Sequence, residues 1–311
     1  MTVMWPDIPY RPWRETRSAL HLYAQVVGKY RLARTPWVNH SWHATLYVTA
    51  RGLSTSVIPD GPGGVEIAFD LLDHAVIGAA TDGRQASFPL GPMSVAVFHA
   101  RLRDLVRGLG GTPEFDGRPN EVPDPIPFAQ DREKRPYDAE AVTRFFHATV
   151  AVDRVLKRFR TAYIGKVSPV HLFWGSFDLA ATRFSGRGAP LHPGGIPALP
   201  DAVTREAYSH EVSSAGFWPG DANVDFPAVY SYAYPTPDGF SEVRPLPGAA
   251  YFDRSLGEFL LPYDAIRRSG DPEATLMAFL QSTYAAAADL GGWDRGALEV
   301  PPGELGRPRP V

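Results

Sequence analysis

The chain has no cysteine, and that absence narrows its chemistry first. No disulfide, iron–sulfur cluster, thiolate metal site or cysteine nucleophile can be built, so any metal would rest on His, Asp and Glu. An excess of one charge is also missing: 31 Lys and Arg stand against 34 Asp and Glu, a formal net charge of −3. The densest basic stretch, RVLKRFR from Arg154 to Arg160, reads as the solvated face of a helix. Nucleic acid is therefore not an expected partner. No apolar run approaches the ~18 residues that a membrane span needs, so no membrane partner is expected. The opening MTVMWPDIPYRPW lacks the charged segment and apolar core of a signal peptide. These readings predict a soluble cytoplasmic protein that meets a small-molecule ligand or substrate. They leave its oligomeric state open.

Catalytic signatures are scarce as well. His210-Glu211 begins like a zinc-protease motif, but Ser214 stands where the second histidine belongs. Gly28-Lys29 and Gly165-Lys166 lack the earlier glycine and the following Ser or Thr of a phosphate loop. No G-x-S-x-G nucleophile elbow occurs. Nucleotide hydrolases, Rossmann dehydrogenases, zincins and ordinary α/β-hydrolases all become poor fits.

What is present is a globular composition: 311 residues, 44% hydrophobic, 21% charged, with 31 prolines. A chain of this size buries roughly 75% of its unfolded surface and needs no metal to fold. The stretch ETRSALHLYAQVVGKYRLA carries Leu20, Tyr23, Ala24, Val27 and Tyr30 on one helical stripe. A strand meander follows (HATLYVT, LSTSVI, GVEIAFDLL, HAVIGAAT, QASFPL), with Asp82-Gly83 as a tight hairpin turn. A helix then ends at Gly110-Gly111. After the loop GRPNEVPDPIPF the order recurs. Asp138 caps a helix striped with Val142, Phe145, Phe146, Val152, Leu156 and Phe159. Strands HLFWGSFDLAATRF, AYSHEVSSAG, AVYSYAY and GEFLLPY follow, and Asp271-Pro272 opens a last helix that also ends in Gly-Gly.

The expected fold is α+β. Two similar halves each carry an antiparallel meander flanked by helices, and they pack as one compact unit. Residues 1–120 form the first half, 121–136 a proline-rich linker, and 137–311 the second half. Placing NHSWHATLYVTARGLS over VHLFWGSFDLAATRFS matches His40 with His171 and Ser54 with Ser185. An internal duplication would explain the match, and so would shared strand patterning. If the duplication holds, a ligand cleft lies between the halves.

Strand parity sorts the chemistry-bearing residues. His40 and His171 each sit at the rim of an apolar face and could converge on one divalent metal; the plainer alternative is a core-edge histidine bonded to a carbonyl. His43 falls on the opposite face from His40. In SHEVSSAGFWPG, His210 and Glu211 also point to opposite faces, so at most one serves a given site. Asp178 is a carboxylate in an apolar strand, which needs water or a cation such as Arg183 or Arg187. Tyr230, Tyr232 and Tyr234 share a face and either pack on the core or line a cavity. The candidate catalytic groups are thus His171, His210, Glu211 and Asp178. Candidate ligand contacts are His43, Trp174, Arg183, Trp218 and Tyr232. His40, His171 and His210 are the candidate metal ligands, with glutamate as a further donor.

The segments VNHSWHATLYVTARGL, VHLFWGSFDLAATRFSGR, TREAYSHEVSSAGFWPG, YSYAYP and LPYDAIR together resemble an uncharacterised bacterial family, domain-of-unknown-function family 5996. The resemblance runs over nearly the whole chain and implies one family-wide unit. It carries no activity, cofactor or catalytic residue onto positions here. Three functional readings stand: a small-molecule enzyme with a His/Glu and aromatic-lined cleft; a non-catalytic binder of an apolar or aromatic ligand; and an interaction or scaffold protein.

Overall fold

A computed structural model describes residues 4–309. The first helical stripe forms α1, Tyr10–Arg34, and Leu20, Tyr23, Ala24, Val27 and Tyr30 are all buried. Five strands follow: β1 (Tyr47–Val48), β2 (Gly52–Asp60), β3 (Gly63–Asp70), β4 (Ala75–Ala80) and β5 (Gln85–Pro89). They form an antiparallel sheet in chain order. Gly83, at φ +92°, supplies the left-handed backbone that turns β4 into β5. α2 (Val95–Gly108) begins where the Ser94 side chain accepts the Val97 N–H.

The second half opens with α3 (Ala139–Thr161), capped by Asp138 accepting the Ala141 N–H. Then come β6 (His171–Phe173), β7 (Asp178–Gly188), α4 (Asp201–Ala207), β8 (His210–Trp218) and β9 (Ala228–Tyr234). β10 (Tyr251–Asp253), β11 (Glu258–Pro262), α5 (Tyr263–Arg267), α6 (Pro272–Leu290) and α7 (Arg295–Leu298) complete the described residues. This antiparallel sheet has the order β10-β11-β9-β8-β7-β6. α3 and α6 pack on each other and together cover one face of β7 and β8. Leu179 and Ala181 of β7 point into that core, leaving the other face of the sheet for Asp178, Ala180 and Thr182.

Among the described residues, one bridge joins the two sheets. Leu46 N–H donates to the Leu172 carbonyl at 2.9 Å and Leu172 N–H donates back at 2.7 Å. Both halves thus run helix, antiparallel strands, helix, as expected. The residue-by-residue match does not follow. His40 lies in a 3-10 turn, Asn39–Ser41, with left-handed φ of +60° there and +58° at Ser41, whereas His171 lies in β6. A strand cannot accommodate those angles, and the turn they begin runs on through His43 and Ala44, so HATLYVT contracts to Tyr47–Val48. HLFWGSFDLAATRF is likewise a hairpin rather than one strand. Phe177 at φ +63° closes its turn, and parity restarts at Asp178. The proline-rich segment after 120 is packed down: Phe128 is fully buried and Asp131 pairs with Arg135 at 2.9 Å.

Candidate functional site

A cavity of about 800 Å³ lies on the face of the second sheet opposite α3 and α6. Alternation along the strands builds its floor. β7 contributes Asp178, Ala180 and Thr182; β8 contributes Ser214 and Trp218; β9 contributes Tyr230 and Tyr232; β11 contributes Glu258. Gly216 sits opposite Tyr230 in the register of β8 and β9. A Cβ on Gly216 would lie 2.5 Å from both the Leu179 carbonyl oxygen and the Tyr230 hydroxyl. Its absence lets the Tyr230 ring lie over β8, and the phenol donates to Asp178 Oδ2 on β7. Ser176 donates to Asp178 Oδ1 at 2.5 Å.

The roof is hung from α1. His21, Gln25 and Lys29 recur every fourth residue on the helix and are buried together, a polar stripe beside the apolar one. Lys29 Nζ donates to Asp116 Oδ2 and Asn120 Oδ1, each at 2.7 Å. Gln25 donates to the Asn120 carbonyl at 2.7 Å and accepts the Asn120 N–H at 2.8 Å. His21 Nε2–H donates to the Gly175 carbonyl at 2.7 Å. These bonds fix the 116–121 segment against the 174–177 turn. Glu121 follows in left-handed backbone, φ +58°, with its N–H given to Pro197 at 3.0 Å. Its carboxyl presses on Gly175, where a Cβ would stand 1.9 Å from Oε1. Val203, Ala207 and Tyr208 of α4 and its end close another side, and Trp37, His40 and Trp42 close the side toward the first half.

Besides Asp116, which is paired with Lys29, three carboxyl groups share this space, and burial dominates the pKa of each. Burial pushes the Glu121 pKa up to about 7 and the Glu258 pKa up to about 8, with the nearby Asp178 charge a second cause in both. Asp178 is also raised by burial, against the opposing effect of the Ser176 and Tyr230 hydrogen bonds. Tyr230 and Tyr232 are held well above the ordinary phenol value by burial. Tyr208 and Tyr232 hydroxyls meet at 2.8 Å, as do those of Thr182 and Ser214. Near neutral pH the site therefore holds carboxylic protons on Glu121 and Glu258, beside hydroxyls that can both give and receive hydrogen bonds.

Of the residues expected from the sequence, Asp178, Trp174, Trp218, Tyr232 and His40 line this cavity. His40 is committed at both ring nitrogens: Nδ1–H donates to Ala207 O at 2.7 Å and Nε2 accepts from Lys166 Nζ at 2.5 Å. The others lie elsewhere. His171 is fully buried against Thr45, hydrogen-bonded at 3.1 Å, and burial lowers its pKa to about 3. His43 lies against Trp37 with Nδ1 accepting the Val38 N–H at 3.2 Å. His210 bonds to Ser209 at 3.0 Å, its ring 5.9 Å from that of His40. Glu211 pairs with Arg187 at 2.7 Å and Ser185 at 2.8 Å. Arg183 points to the helix face of β7, between the Phe159, Tyr163 and Tyr284 rings. It is not the partner of Asp178, which is satisfied by two hydroxyls instead. Of the three histidines expected to converge on a metal, His40 and His210 are neighbours, but both His40 nitrogens are engaged and His171 is bonded to Thr45. Among the described residues, no group of three or more His, Asp or Glu side chains is placed to hold a metal ion.

Sequence reasoning missed Glu121, Glu258 and Tyr208. Glu258 carried a usable signal: like Asp178, it is a carboxyl at the start of an apolar strand. Glu121 carried none, because only the α1 stripe brings its loop over the sheet.

Fold and site together define an α+β protein whose second sheet carries a carboxyl-bearing aromatic cavity, roofed partly by the first half. Among the described residues no helix is long and apolar enough to cross a membrane. The chain belongs to the family described as a family of unknown function, DUF5996, which matches residues 5–300. No curated protein and no solved structure matches it.

Proposed function

We propose that the protein is a small-molecule enzyme working by proton transfer in this cavity. The carrying observation is that Glu121, Asp178 and Glu258 line one aromatic-walled space while two of them titrate near neutrality. A general acid or base works best with a pKa near the working pH. In this reading Glu121 and Glu258 are the proton donors and acceptors. Burial in the cavity wall keeps their pKa values high, and Asp178, held by Tyr230 and Ser176, adds to it. Trp42, Trp174 and Trp218 exclude water and seat the substrate body. His40 contributes through its place in the wall, since both its ring nitrogens are engaged.

The test is a comparison of protein incubated with a metabolite extract in D₂O, followed by mass spectrometry. Wild type should change the amount or deuterium content of at least one metabolite, and E121Q and E258Q should not. An identical profile for wild type and both variants would overturn the reading. The aromatic share of the lining also suits a non-catalytic binder of an aromatic ligand, and that outcome would favour it.

A further inference from the structure

We infer that the cavity takes an organic cation, an amine or alkylated ammonium. Its charged end would sit among Glu121, Asp178 and Glu258, and its apolar body would lie along Trp218, Trp174 and Trp42. This rests on the cavity being the functional site and names the class of molecule it serves.

The charge balance of the wall carries the argument. Its cations are Lys29 and Arg118. Lys29 is neutralised by Asp116 and held by Asn120, both at 2.7 Å. Arg118 is exposed, out at the rim. Among the described residues, acids and hydroxyls but no cation act on Glu121, Asp178 and Glu258. Nor do Glu121 and Glu258 receive a hydrogen bond from any described residue. The half-buried Glu121 carboxyl thus lies against Gly175 and faces the cavity with no partner among the described residues. Half-buried acids that face a cavity without donors from the protein favour a ligand that supplies positive charge there.

The rings around them fit the same ligand. Tyr230 and Tyr232 stack at 6.0 Å and 19°, and Tyr208 closes on Tyr232 through the hydroxyl pair. Ring faces attract cations and repel anions, and a cation that is also desolvated gains most. An anionic ligand would meet like charge. A neutral aromatic would fill the wall and leave the carboxyls unanswered.

Two matched sets of probes decide it: benzylamine, benzyl alcohol and benzoate; tryptamine, tryptophol and indole-3-acetate. Titration calorimetry at about pH 7.5 should show an amine binding about tenfold or more tighter than its alcohol, with the acid weakest. Buffers of different ionisation enthalpy should show protons released on amine binding, because the incoming charge ionises Glu121 and Glu258. E258Q, which breaks no hydrogen bond within the protein, should shrink the amine preference; D178N should do the same if it folds. An alcohol binding as well as its amine, an acid binding tightest, or no binding by any of the six overturns the cation. The enzyme reading is judged separately, by the metabolite comparison of wild type with E121Q and E258Q.

Discussion

Tyr230 reaches across the full width of β8 to give its phenolic hydrogen to Asp178 on β7. Gly216, directly beneath it, makes the crossing possible. A Gly216→Ala change puts a methyl group into the Leu179 carbonyl and the Tyr230 ring. It should cost about 1–3 kcal/mol of stability, read from urea unfolding. Tyr230→Phe keeps the ring and removes only the donor. It should fold normally and raise the Asp178 pKa further, since a hydrogen bond to the charged form is lost. Carboxyl carbon NMR of Asp178 in the two proteins measures the change.

Glu121 and Glu258 make folding weaker as pH rises. Their folded pKa values, about 7 and about 8, stand above the ordinary 4.5. Below the ordinary value both states are protonated and the groups contribute nothing. From there up to about 8 the unfolded chain sheds protons that the folded one keeps, so stability falls. The E121Q/E258Q double variant is free of this. Its stability relative to wild type should grow between about pH 5 and about pH 8 in urea titrations. A difference constant over that range would mean that the two carboxyls are not raised.

His21 and His171 act on the acid side. Burial holds both neutral, with pKa values lowered from 6.5 to about 3. Between those values the unfolded chain takes up protons that the folded one refuses, so stability is lost as pH falls through that window. His171→Asn retains a polar group toward Thr45 and removes the titration. The acid limb of its stability curve should be shallower than that of wild type, measured by thermal unfolding from about pH 7 to about pH 4.

Lys29 is 4% exposed and holds the roof by two bonds. Lys29→Met keeps the stem and removes both. The 116–121 segment should exchange its amide hydrogens faster, with a loss of about 1–3 kcal/mol in stability. Unchanged exchange there would mean that Gln25 alone suffices to fix the segment.

Much of the scaffold was legible because local rules agreed with the fold. Asp138 and Asp271 cap their helices as their positions before a helical stripe imply, and Asp82-Gly83 turns its hairpin. The α1 stripe of Leu20 to Tyr30 is buried throughout. Legibility failed where backbone angles departed from strand geometry. His40, Ser41 and Phe177 are left-handed without being glycine, and nothing local announces them. Parity carried through His40 and Phe177 therefore lost its meaning, though within β7 it put Asp178 and Thr182 on one face. The roof was illegible for another reason. His21, Gln25 and Lys29 lie beside the apolar stripe and are covered by a loop some 90 residues further on, as the Lys29–Asn120 bond records.

The Leu46–Leu172 bridge bears on how a ligand would be met. The turn holding Trp42 and Ala44 runs into it from the first half, Phe173 and Trp174 follow it in the second, and the Trp174 indole N–H donates to the Ala44 carbonyl. Gly28 leaves room for that indole against α1. This aromatic wall is preorganised: the ordering of its side chains is settled when the chain folds, so an arriving molecule need not supply it.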